Sequence, residues 1–164
     1  MIESLQNLIE SLREELQQYG EMLARLDQQQ DLVTRRVPDD LLQSTAEVES
    51  QSRIIQNARQ LRLQWQREVA RALRLPADAP FTEITPLLPE NYRPLMAALV
   101  QENNELLARV QQRSRQNHVL LSRSLELMSG LIRSLIPGGS PVYTGAGTLR
   151  AVVMPQRAIY AEIG

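Results

Sequence analysis

The chain has 164 residues with 18 basic and 19 acidic side chains, and every basic one is arginine. The two signs are spread evenly along it, so no segment offers the positive face that phosphate binding needs, and nucleic acid is not an expected partner. There is no cysteine, which excludes disulfides, thiolate metal sites and thiol nucleophiles.

Only six side chains are aromatic (one Phe, one Trp and four Tyr), so any core must be mostly aliphatic. The amino terminus, Met1-Ile2-Glu3-Ser4, lacks both a basic n-region and an unbroken apolar stretch. It is not expected to be a signal peptide. No apolar run approaches the roughly 20 residues that span a bilayer. These features point to a soluble, cytoplasmic protein with no membrane insertion.

The first predicted element is a helix from about Ile2 to Arg36. Ile2, Leu5, Ile9, Leu12, Leu16, Tyr19, Leu23 and Leu26 step three then four residues. That spacing lays an apolar seam along one side of a helix and requires another helix to cover it. The seam weakens at Gln28-Gln29-Gln30 and resumes at Val33. Val37-Pro38 ends it, because proline disfavours helical geometry in the residue before it while suiting the first turn of a new helix.

A second helix is predicted from about Asp39 to Leu75, opened by two acids that complement the positive end of its dipole. Its expected inner side carries Leu41, Thr45, Val48, Ile55, Ala58, Leu61 or Arg62, Trp65, Val69 and Ala72 or Leu73, interrupted at Ser52. Each helix would be about 50 Å long at 1.5 Å per residue. Single helices of that length are poorly stable alone, so the two are expected to pack as an antiparallel hairpin.

Residues 76–94 break the period with five prolines but keep Phe81, Ile84, Leu87 and Leu88. They read as a structured connector with one short helical turn over 82–88, its apolar residues capping one end of the hairpin. The third long helix is predicted from about Pro94 to Leu135, stopped by Pro137-Gly138-Gly139. Its stripe runs through Leu95, Leu99, Asn103, Leu106, Val110, Arg113 or Ser114, Asn117, Leu120 or Leu121, Ser124, Leu127 or Met128, Leu131 and Leu135. The centre of that stripe is polar. Asn117 is read as a buried amide that fixes helix register, or as a mark of a side left partly open. The expected fold is all-α: an elongated, coiled-coil-like antiparallel three-helix bundle over residues 1–136, with an irregular C-terminal tail over 137–164.

That tail is rich in glycine yet holds Val142, Tyr143, Leu149, Val152, Val153, Met154, Ile159 and Tyr160. Solvated disordered tails are poor in such residues. Two uses fit: covering the bundle's own apolar stripe, or docking onto another protein.

Little in the chain suggests catalysis. His118 is the only histidine and reads as a surface residue. Glu14-Glu15 and Asp39-Asp40 are sequence neighbours, which do not face each other on a helix. Glu10 and Glu14, with Arg13 between them, read as a solvated face. Gly138-Gly139 follows a helix, the wrong polarity for a phosphate loop. No metal site, cofactor or enzymatic activity is expected.

The third helix and the tail carry a pattern of their own: Asn117-His118-Val119-Leu120, the Leu-rich run Leu125 to Leu135, a short break, then Tyr143-Thr144-Gly145-Ala146-Gly147. Upstream, Arg67 precedes Val69, Leu73, Leu75 and Pro76. This arrangement resembles the FlgN family of flagellar type III export chaperones, and the order of elements matches over nearly the whole chain. The resemblance implies a small helical cytoplasmic protein, a monomer or weak homodimer. Its clients would be the hook-associated junction proteins of the FlgK and FlgL type, kept unassembled and delivered to the flagellar export apparatus. It also places client binding at the carboxyl end, which here implies contacts from Leu131, Leu135, Val142, Tyr143, Gly147, Leu149, Val152, Val153, Ile159 and Tyr160, with Gly145 and Gly147 letting the backbone turn. The alternative is a structural or adaptor coiled coil that homodimerises through its seams.

Overall fold

The computed structural model describes residues 1–135. It contains α1 (Ile2–Arg35), α2 (Pro38–Ala72), a short α3 (Phe81–Ile84) running into a 3-10 turn (Thr85–Leu87), and α4 (Arg93–Leu135). There is no strand among the described residues, so the all-α expectation holds. The expected tail lies outside them.

Helix α1 is the spine. Both α2 and α4 pack along it, while α2 and α4 approach each other far less closely. Cross-helix bonds give the directions. Gln29 of α1 donates to Thr45 of α2, and Gln51 of α2 donates to the backbone and side-chain oxygens of Gln18. As α1 descends, α2 ascends, so the pair is antiparallel. Helix α4 runs the other way: Asn103 donates to the carbonyl of Leu12, and Asn117 to that of Leu26. Both pairs are 91 residues apart in sequence. The parallel register of α1 and α4 is therefore constant across two heptads.

Serving two partners, α1 buries more than one seam. Leu8, Ser11, Glu15, Gln18, Met22 and Gln29 are buried besides Leu5, Ile9, Leu12, Tyr19, Leu26 and Val33. Leu16 and Leu23 are only half-buried and Ile2 is exposed.

The inner side of α2 also differs from expectation. Ser44, Gln51, Arg62 and Gln66 are buried, whereas Leu61 is exposed and Trp65 half-buried. The reason is a polar chain inside the hairpin. Arg62 Nε lies 3.0 Å from Glu15 Oε2, and the Tyr19 hydroxyl donates to Glu15 Oε1 at 2.7 Å. Arg62 also donates to Gln66, which in turn donates to the carbonyl of Ala79 in the connector. A charge can sit in the core when it is paired and hydrogen-bonded in this way.

Both hairpin helices stop by the same device. Arg36 (φ 56°) and Arg74 (φ 61°) adopt the left-handed conformation. The following amides of Val37 and Leu75 reach back to the carbonyls of Leu32 and Ala70. That bond pattern is the usual helix stop, but glycine normally fills the left-handed position. Helix α2 thus ends at Ala72 rather than near Leu75. In the connector, Phe81, Ile84 and Leu88 are buried and close the end of the core, while Leu87 turns outward.

Candidate protein-binding surface

The surface that distinguishes this chain follows from where α1 runs out. Along α4, positions 96, 100, 103, 107, 110, 114, 117, 121, 124, 128, 131 and 135 step three and four residues without a break. Met96, Val100, Asn103, Leu107, Val110 and Asn117 on that track are buried, and Leu121 and Ser124 are half-covered. Beyond them, Met128 (59%), Leu131 (61%) and Leu135 (71%) stand exposed.

The change has a geometric cause. A constant offset of 91 residues sets the end of α1, Arg35, beside Glu126. The last nine or so residues of α4 therefore project about 13 Å past α1 at 1.5 Å per residue. The seam continues; its partner does not.

Leu125, Leu127 and Ile132 are exposed on the flanks of the same face. The opposite side holds Glu126, Ser129, Gly130 and Arg133, so the overhang is amphipathic. Its polar side is satisfied locally: Arg133 Nε donates to the carbonyl of Ser129, and the Ser134 hydroxyl to that of Leu131. A shallow hollow lined by Gln30, Arg115, Gln116, Val119 and Leu120 adjoins it on the bundle side.

Of the residues expected to contact a partner, Leu131 and Leu135 thus sit together on an uncovered face. Val142, Tyr143, Gly147, Leu149, Val152, Val153, Ile159 and Tyr160 lie outside the described residues. The sequence reading did not assign Leu125, Leu127, Met128 and Ile132 to the surface. Leu127 and Met128 were expected on the packed stripe, and only the length of α1 relative to α4 exposes them. Asn117, by contrast, is buried, and its amide donates to Leu26 O at 2.7 Å and to Gln29 Oε1 at 3.0 Å. Those bonds are what a register-setting residue makes. His118 is exposed.

Among the described residues, no cluster of His, Asp or Glu could hold a metal ion, and no helix is long and apolar enough to cross a membrane.

The sequence model of one family, described as FlgN protein, matches residues 1–151. The chain belongs to the FlgN family. That family acts in flagellar type III protein export as chaperones, and the general role of this chain is that of a flagellar export chaperone. The match takes in the overhang of α4 and the Tyr143–Gly147 segment. No curated protein and no solved structure shows a significant match to the chain.

Proposed function

We propose that this FlgN-family chain binds hook-associated junction proteins of the FlgK and FlgL type and keeps them unassembled before they pass to the export apparatus in the cytoplasm. The observation that supports this is the uncovered seam of α4 from Met128 to Leu135. A client segment that forms helical layers in the finished flagellum carries a stripe of the same periodicity. Such a helix can lie along the overhang by helix-in-groove packing. Burial of apolar surface at about 25 cal/mol per Å2 drives the contact, less the cost of ordering the client. The face is short, which suits a chaperone that must let go.

In this reading α1, α2 and α4 form an elongated three-helix bundle over residues 1–136, and residues 137–164 add contacts through Val142, Tyr143, Leu149, Val152, Val153, Ile159 and Tyr160. The chain works as a monomer or weak homodimer. The test is co-purification of junction proteins with the full chain and with a chain lacking residues 137–164. Loss of the client with helical content retained is the expected result. Undiminished binding by the shortened chain would remove the tail from the reading. A tight homodimer that takes up no junction protein would replace it with the adaptor alternative.

A further inference from the structure

The uncovered end of α4 is followed at once by chain of a kind that could cover it. Leu135 closes the helix, and Pro137-Gly138-Gly139 comes directly after. Proline cannot continue a helix, and glycine tolerates the dihedral angles of a tight reversal. Past that point come Val142 and Tyr143, and residues 137–164 carry one acid and two arginines. Neither charge nor composition holds this stretch in water.

We infer that in the free protein the residues after the Pro-Gly-Gly turn fold back along α4, with Val142 and Tyr143 against Met128, Leu131 and Leu135. The reach is adequate. Leu125 to Leu135 measures about 15 Å along the helix, and about five extended residues span that distance. A tether of a few residues holds the segment near millimolar effective concentration, so a weak contact suffices. The chain thus carries its own stand-in on the α4 face. Where that face is the client site, as proposed above, the client must displace the stand-in, and affinity becomes adjustable without altering the client contacts.

The absence of cysteine allows a direct test in the full chain without any client. Leu131→Cys paired with Val142→Cys puts two thiols on the apolar face. Ser129→Cys paired with Val142→Cys puts one on the opposite side of the same helix, at a similar distance from the turn. Under mild oxidation the first pair should form its intrachain disulfide about tenfold faster, as expected if the docked state dominates the undocked one. Equal rates for the two pairs would overturn the inference. So would disulfides formed mainly between chains, which would indicate a second copy on the face. Amide hydrogen exchange gives an independent reading: Val142→Asp with Tyr143→Asp should speed exchange over residues 125–135, and unchanged exchange would overturn the docking. Neither measurement involves a client, so their failure is distinct from a failure of client binding.

Discussion

Arg62 meets Glu15 across the α1–α2 interface at 3.0 Å, with 1% and 0% of the two side chains exposed. Arg59 Nε lies 4.0 Å from the same carboxylate, and Tyr19 donates to its other oxygen. Removing one member of such a pair strands a buried charge. Glu15→Leu alone should therefore cost about 3–5 kcal/mol. Combining it with Arg62→Met should recover most of that loss, since an apolar pair of similar volume fills the space without desolvation cost. Urea unfolding of the two single variants and the double variant measures the coupling. Additive losses would show that the pair does not act as a unit.

Gly20 lies within α1, where a Cβ would meet only Leu106 Cδ2, at 4.0 Å. That is ordinary contact. Alanine keeps the helix and lowers the entropy of the unfolded chain, so Gly20→Ala should stabilise the protein by about 0.5–1 kcal/mol. A lower midpoint in thermal melting would show that α1 and α4 pack too tightly there for even a methyl group.

The two left-handed arginines invite the opposite exchange. Arg36 and Arg74 hold positive φ at the ends of α1 and α2, a conformation that costs a residue with a Cβ about 1–2 kcal/mol. Part of the gain from glycine is returned as backbone entropy. Arg74→Gly should raise stability by about 0.5–1 kcal/mol and Arg36→Gly by a similar amount. Differential scanning calorimetry decides it.

Leu131 and Leu135 bear on binding without bearing on the fold. Both are more than half exposed, so Leu131→Asp with Leu135→Asp should leave thermal stability within about 0.5 kcal/mol of the parent. Client affinity should fall by at least about tenfold, since each lost anchor is worth more than about 1 kcal/mol. Titration calorimetry with a junction protein reads the change. Unaltered affinity would take these two leucines out of the binding surface.

Asn103 and Asn117 offer a test of register. Each donates to an α1 carbonyl, and each is buried. Asn117→Ala should cost about 1–2 kcal/mol through lost hydrogen bonds and packing. Replacing both with leucine should preserve helix content but broaden the α1–α4 alignment, seen as line broadening of backbone resonances along α4. Sharp, unshifted spectra would mean that apolar packing alone sets the alignment.

The long helices, their breaks and the aliphatic core were legible because each depends on local chemistry. A 3-4 repeat, a Val-Pro junction or a Pro-Gly-Gly stop acts within a turn or two of the residues that carry it. The polar interior was not legible. Nothing near Glu15 in sequence separates it from Glu14, and Leu61 looks a better core residue than Arg62. Their fates are settled by residues 47 positions apart, which meet only after α2 has folded back on α1.

The candidate surface divides in the same way. That residues 128–135 of α4 carry an apolar stripe follows from their spacing, because helical geometry alone aligns them. Whether the stripe is core or surface depends on how far α1 extends beside it. That is a matter of alignment between two helices, set by the bonds from Asn103 to Leu12 and from Asn117 to Leu26. Periodicity repeats identically along a helix and cannot say where its neighbour stops; the packed structure can, since burial ends where α1 does.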